Sequence, residues 1–451
     1  GVSENEMVML ILPSGSEFIA SVYGLASIGG IALPVNSRLT QYELETVLED
    51  SKPAGLISTE KIYNSYKNLF RKDANLRFAI SIDDKFEENN KEIKYYTLNN
   101  FREERSPLTP PSGNPVITCH YTYRGCGFPL GVPHRYHDYS TYLDGMENRF
   151  PVTSGSAVII GLPIYPIYGL MILVLYPLGI GLRLVFVSKF MEKNFLEVYE
   201  KHNAMGTCLV PVIMPKFLSE LKARGSKDKI NLNANLLIAS SATTLHENLH
   251  RDIAEASGIE IIIGYGFTEG LTITSTYKGL KSARGTLGVP LHDDIQVKIV
   301  DTSGDEVPDG TLGEIIVSGP TITEGYLNKP EVNKKFFKDG FFYTGDLGYK
   351  DENGYLVFQG RALPIAKVAA QMVDLIEVEN IVRRHPDVLK VKATEKKVPV
   401  GRNYVILTVI IKQSSAITQQ ELQAFCMKYL SYHKIPAEIR FQYEKVEEMV
   451  I

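Results

Sequence analysis

An α/β fold is predicted: a large N-terminal domain of parallel sheets, a small β-barrel-like subdomain, and a small α+β C-terminal domain. Three observations predict it. Short, wholly apolar runs such as Met7 to Leu12 alternate with helix-like stretches, the pattern of parallel strands covered on both faces. After Gly288 the texture changes to alternating strands and turns. After Arg361 it changes again, to mixed helices and strands, so the division runs 1–361 (β-rich from about 288) and 362–451.

In chain order, MVMLIL from Met7 is a strand, and a helix opening at Ser14 to Ser16 runs to about Gly29. Ile31 to Pro34 and Ala54 to Ser58 are strands flanking a helix from Thr40 to Asp50, with Thr40 as its N-cap. The polar, proline-punctuated region from Asp83 to Pro115 reads as a connector. TCHYTYRGCGFPLGV, from Thr118, has the grammar of a glycine loop between a strand and a helix. Its glycines Gly125, Gly127 and Gly131 can turn backbone N–H groups toward an anion, and Arg124 adds a cation. Neither the Walker nor the Rossmann spacing is matched, so on its own the loop is as readily structural as functional.

Ala157 to Val187 is long and apolar, but Pro163, Pro166 and Pro177 interrupt it, so it reads as strand, loop, helix, strand rather than a membrane span. Ala204 to Leu218 gives strand, proline break and helix, and Leu236 to Ser240 a further strand. A helix from Leu245 to Ser257 precedes the strand Ile259 to Ile263, which is expected to run into a glycine turn, Gly264-Tyr265-Gly266-Phe267-Thr268-Glu269. Open α/β sheets place ligands at such strand ends. Glu269 is either a hard oxygen ligand for magnesium or a solvated loop carboxylate.

In the β-rich part, Ile295 to Val300 and Gly313 to Val317 are strands. Asp351 to Gly354 turns a hairpin whose returning strand starts at Tyr355, which should bring Asp346 and Arg361 together at its open end. That pair suits a polyhydroxylated, phosphate-bearing ligand, or is a surface ion pair. The tail carries a helix from Ile376 to Arg384, a strand from Val405 to Ile411 and a helix from Thr418 to Leu430.

With 451 residues, 44% hydrophobic and 22% charged, the chain reads as a soluble globular protein of two or three domains or subdomains. Lys+Arg 48 against Asp+Glu 52 leaves a net charge of -4 without a basic run, so nucleic acid is not an expected partner. Cys119, Cys126, Cys208 and Cys426 have neither CxxC nor zinc spacing and read as free thiols in a reducing, cytoplasmic compartment. The chain begins at Gly1 and stops at Ile451, and both ends are read as trimmed or unresolved.

Six segments in register resemble the acyl-adenylate-forming superfamily: acyl-CoA synthetases, aryl-CoA ligases, peptide-synthetase adenylation domains and luciferases. They are Leu12-Pro13-Ser14 through Asn36; Leu162-Pro163 to Leu170 ("LPLFHxxGL"); Gly264 to Glu269 ("YGxTE"); Gly313-Glu314 to Tyr326 ("GEIxxxGPxxxxGY"); Tyr343 to Asp346 ("YxTGD", shortened); and Gly360-Arg361. The resemblance implies ATP-dependent attack of a carboxylate on the α-phosphorus, release of pyrophosphate, and transfer of the acyl group to coenzyme A. It implies ATP/AMP, Mg2+ and coenzyme A as cofactors, and a fatty or aryl acid as substrate.

Carried over by position, Thr268, Glu269, Arg361 and Lys367 would be catalytic, with Glu269 the metal ligand. Thr122, Arg124, Gly125, Gly127, Ser240, Ser241, Ala242, Gly264, Tyr265, Gly266, Asp346 and Phe358 would line the nucleotide. Tyr165, Pro166, Tyr168, Gly169, Gly264, Gly270 and Leu271 would line the acyl pocket, although Tyr165 and Tyr168 are equally readable as core aromatics.

The departures fall mostly in one place. Where the family reads "TSGTTGxPKG", Thr122 to Gly131 is TYRGCGFPLG, so small hydroxyls give way to Tyr123 and Arg124, and the lysine to Leu130. Pro166 replaces a histidine, Ala370 a glycine, and Leu363 the usual Asp or Lys of the hinge. The family's catalytic lysine is expected beyond the segment that Tyr432 to Met449 resembles. Two alternatives therefore accompany the enzyme reading: a nucleotide- or acyl-binding paralogue with little catalysis, and an adenylating enzyme that loads a carrier protein. A peripheral membrane contact and the oligomeric state stay open.

Overall fold

The computed structural model describes all residues except 1, 84–85, 87–92, 102–109, 151–155, 226–231, 233–235, 242–244, 281–282, 370, 399–401 and 444–451. Among the expected positions, Ala242, Ala370 and the end of the segment reaching Met449 lie outside the described residues.

Two compact units result: 1–37, 51–121 and 131–362 form the first, and 38–50, 122–130 and 363–451 the second. In the first, a seven-stranded sheet runs in the order Lys94–Thr97, Phe78–Ser81, Gly55–Ser58, Met7–Ile11, Ile31–Pro34, Val116–Thr122, Leu130–Arg135. The Met7–Ile11 strand lies parallel between Ile31–Pro34 and Gly55–Ser58. Its residues Val8 to Ile11 are wholly buried, which is why it carries no polar alternation.

A second seven-stranded sheet runs Val289–Pro290, Leu271–Ser275, Ile261–Phe267, Leu237–Ser240, Ala204–Cys208, Ala157–Ile160, Arg183–Phe186. One apolar core, including Val8, Phe18, Tyr142, Val158 and Leu173, serves both sheets. A five-stranded antiparallel sheet follows, in which Phe341–Lys350 pairs with Gly313–Ser318 on one side and Leu356–Arg361 on the other.

The second unit has its own core of Val373, Val378, Val391, Leu407 and Leu422. Around it lie the hairpin Ile365–Val368 with Gln371–Asp374, the helices Leu375–Val382 and Gln419–Cys426, and the sheet Val388–Lys396, Tyr404–Ile411, Glu438–Tyr443. The helix Gln41–Ser51, apart from its last residue, is clustered with this unit although it comes from the start of the chain. Thr40 caps it as expected: Thr40 N–H donates to Glu43 at 2.8 Å, and Glu43 N–H donates to Thr40 Oγ1 at 3.2 Å.

Three expectations are corrected. The connector from Asp83 contains a strand, Lys94–Thr97, parallel to Phe78–Ser81; its Tyr95, Tyr96 and Thr97 are good strand formers masked by polar neighbours. The glycine loop is followed by a strand, Leu130–Arg135, and only then by the helix Tyr136–Arg149. Gly264 does not turn the chain, for the strand continues to Phe267 and then hairpins into Leu271–Ser275. Gly266 is required there, because a Cβ would lie 1.9 Å from the Leu271 carbonyl oxygen.

Candidate functional site

In the first unit, the hairpin opened by Phe341–Lys350 aligns Asp346 directly with Arg361. Gly345 at φ +68° makes the bend that turns Asp346 inward, and its N–H donates to Glu314 at 2.8 Å. Thr344 Oγ1 donates to the Ile315 carbonyl at 2.6 Å and accepts from Asp346 N–H at 3.0 Å. Asp346 is thereby buried, 3% exposed, with both oxygens engaged: Arg361 Nε donates to Oδ1 at 2.7 Å and Tyr265 Oη to Oδ2 at 2.8 Å. The Arg361 side chain stays 21% exposed, with its guanidinium 5.9 Å from the Phe358 ring centroid. A buried carboxylate flanked by a guanidinium and a phenol is a preorganised acceptor for paired hydroxyls.

Tyr265 reaches this carboxylate from the strand Ile261–Phe267. Ser240 ends the neighbouring parallel strand opposite Ile263; it is buried, and its hydroxyl has no hydrogen-bond partner among the described residues. Ser241 follows, half-buried. The turn beyond Phe267 is fixed from two sides. His134 Nε2 donates to the Thr268 carbonyl at 2.6 Å, and the Asp138 carboxylate lies 3.0 Å from Nδ1. Glu269 is fully buried and accepts from Tyr326 Oη at 2.6 Å.

An apolar cavity with about 680 Å3 of empty space, mouth included, lies against the second sheet in the same unit. Tyr168 and Gly264 are in its lining, with Met146, Ile172, Ala239 and Thr272, which the sequence did not single out. Tyr165, Pro166, Gly169, Gly270 and Leu271 are not in its lining. Tyr165 and Leu271 belong to the apolar core, and Gly169 serves a close approach, its Cβ position lying 2.3 Å from the Pro163 carbonyl oxygen.

Thr122, Arg124, Gly125, Gly127 and Lys367 belong to the second unit. Thr122 and Arg124 are buried there. Lys367 sits in Ile365–Val368, its N–H donating to Glu395 at 3.0 Å. The unit's centre is a residue that sequence reasoning passed over. Lys434, 1% exposed, donates to Glu43 Oε1 at 2.7 Å, Glu377 Oε2 at 2.7 Å and Tyr123 Oη at 2.9 Å. Three ammonium hydrogens meet three acceptors. A buried lysine has no sequence signal of its own.

Burial opposes ionisation of Glu43, but the Lys434 ammonium outweighs it and holds that carboxyl below its usual range. Glu377 goes the other way: burial pushes it up to about 7, against the pull of Lys434 and with the push of Glu43 and Asp374. A raised carboxyl stabilises the fold in its protonated form, so this contribution is complete below the ordinary glutamate range and is lost as pH rises through about 7. Wild type is therefore expected to melt at a lower temperature at pH 8 than at pH 6. Glu377→Gln, with Lys434, Glu43, Tyr123 and Asp374 still around it, should flatten that difference in a scanning-fluorimetry series. An equal slope in both proteins would show that Glu377 is not the titrating group.

Among the described residues no helix is long and apolar enough to cross a membrane, and none of the cysteines Cys119, Cys126, Cys208 and Cys426 is joined in a disulfide.

Comparison with known proteins gives matches over most of the chain. A family model described as AMP-binding enzyme matches residues 1–327. An oxalate–CoA ligase of Arabidopsis thaliana is 24% identical over 455 residues, covering 97% of this chain and 85% of the relative. A long-chain-fatty-acid–CoA ligase of Bacillus subtilis is 23% identical over 476 residues, covering 98% and 83%. Among solved structures, an amide bond synthetase from Marinactinospora thermotolerans superposes with a TM-score of 0.85 at 20% identity, covering 98% of this chain and 87% of that one. An o-succinylbenzoate CoA synthetase from Bacillus subtilis gives 0.82 at 19%, covering 98% and 86%. At these identities the structural likeness speaks for the fold.

Proposed function

The chain belongs to the AMP-binding enzyme family, and from that premise we propose that it activates a carboxylic acid with ATP and passes the acyl group to coenzyme A. A carboxylate oxygen of the acid attacks the α-phosphorus, the bond to the β-phosphate oxygen breaks, and pyrophosphate leaves. The thiolate sulfur of coenzyme A then attacks the acyl carbon, and AMP leaves with the bonding pair. No protein nucleophile is needed, so the chain contributes by positioning and by charge.

The observation that carries this reading is the buried Asp346 carboxylate between Tyr265 and Arg361. Asp346 would accept from the ribose hydroxyls and Arg361 would donate to ribose or phosphate oxygen. Tyr265 and the Ser240 hydroxyl would border the adenine, and Thr268 would donate to the α-phosphate. The apolar cavity supports a fatty or aryl acid over an amino acid, since its lining among the described residues carries no carboxylate to pair with an ammonium group.

Among the described residues no three His, Cys, Asp or Glu side chains gather into a metal cage. Glu269 offers one hard oxygen, which fits a magnesium ion that takes its other ligands from phosphate and water. Bound there, the ion would neutralise phosphate charge; Tyr326 orients the Glu269 carboxylate.

The test is acid-dependent pyrophosphate release with ATP across fatty and aryl acids, with the adenylate trapped by hydroxylamine as a hydroxamate. Release with at least one acid, and thioester formation on adding coenzyme A, is the expected result. A protein that binds AMP but releases no pyrophosphate across the panel would instead be a nucleotide-binding paralogue. One observation favours that second reading: the Gly127 N–H of the glycine loop already donates to the Asp374 carboxylate, at 3.1 Å.

A further inference from the structure

We infer that Asp374 determines which phosphate species the glycine loop accepts, by lying as an internal anion in the loop's N–H cradle. Gly125 and Gly127 adopt φ +69° and +82°, the left-handed backbone that directs successive N–H groups to one side as an anion nest. The group found there is the Asp374 carboxylate: Gly127 N–H donates to Oδ2 at 3.1 Å, and the Cys126 N–H is bonded to it as well. The other oxygen, Oδ1, accepts from Ile376 N–H at 2.9 Å and Glu377 N–H at 3.1 Å. Asp374 is completely buried.

The docking is built into the loop's composition. A Cβ on Gly125 would come within 2.7 Å of the Pro364 ring, and one on Gly127 within 2.7 Å of Asn380 Nδ2 and 3.1 Å of Ile376 Cγ2. Both glycines are thus needed for the loop to lie against the segment that carries Asp374. Tyr123 anchors the loop's near end by accepting from Lys434, and Leu130, fully buried, closes the far end. An external polyanion competes for the same N–H groups and enters only as Asp374 withdraws. If the polyanion is the tail of ATP, which rests on the proposed adenylation, Asp374 weakens ATP and pyrophosphate binding while leaving AMP untouched.

The experiment uses the whole chain and three ligands in calorimetry: inorganic tripolyphosphate, ATP and AMP. Asp374→Ser and Asp374→Asn both retain a good helix N-cap while removing the charge. Both variants should bind tripolyphosphate and ATP at least tenfold more tightly than wild type, with AMP unchanged within twofold. Hydrogen exchange supplies the second readout. The Gly127 and Cys126 amides should exchange at least tenfold faster in Asp374→Ser and regain protection when tripolyphosphate is added.

Unchanged or weaker tripolyphosphate binding in both variants overturns the inference, whatever AMP does. Tighter tripolyphosphate binding without AMP binding sustains the inference and removes the adenylation reading, so the two fail separately.

Discussion

Replacing Lys434 by Met is expected to destabilise the chain by about 3–5 kcal/mol, the usual cost of removing one partner from a buried ion pair. The ammonium lies between Glu43 and Glu377, and it holds three acceptors at 2.7 to 2.9 Å. Without it, two buried carboxylates face each other and the Tyr123 hydroxyl loses its donor. Urea denaturation monitored by hydrogen exchange of Leu375–Val382 and Gln41–Ser51 measures the loss where it should appear. A triple variant, Lys434→Met with Glu43→Leu and Glu377→Leu, should recover most of it, because a well-packed apolar replacement of a buried ion cluster is often neutral or better. A loss below about 1 kcal/mol in the single variant would mean that the cluster is solvated in solution.

Asp346→Ala should weaken AMP binding by about a hundredfold to a thousandfold. Two ribose hydroxyls would each lose a hydrogen bond to a charged acceptor, worth about 1.5–2 kcal/mol apiece, the lower end of the range for such bonds. The substitution also leaves Arg361 Nε and Tyr265 Oη without the oxygens they now share. Asp346→Asn separates charge from shape and should fall between wild type and Ala. Calorimetry with AMP, alongside melting curves to verify the fold, reads the effect. AMP affinity in Asp346→Ala equal to wild type would place the nucleotide elsewhere.

Much of this was legible beforehand where local chemistry dictates structure. Wholly apolar runs gave the parallel strands, Thr40 gave a helix N-cap, and Asp-Glu-Asn-Gly gave the hairpin that aligns Asp346 with Arg361. The shared register of six motifs gave the family. Legibility failed where residues distant in sequence decide. Gly264 looked like the end of a strand because glycine usually interrupts one, but antiparallel pairing with Leu271–Ser275 carries the strand on. The glycine loop looked open because its partners, Asp374, Lys434 and Glu377, sit some 250 to 310 residues further on. Its departures from the family pattern read as lost phosphate ligands; in the structure Tyr123 and Leu130 are interior contacts.

The Asp346–Arg361 pair spans 15 residues within a single hairpin, whereas Ser431 meets Glu43 across 388 and Lys434 meets Tyr123 across 311. On the ribosome, at about 5–20 residues per second, the first pair forms almost as soon as it emerges. Glu43 and Tyr123 wait tens of seconds for their lysine, with an apolar helix face and the glycine loop exposed meanwhile. The second unit is thus the last to assemble, and nascent chains halted before Lys434 should engage chaperones through Gln41–Ser51 and 122–130 rather than through the hairpin.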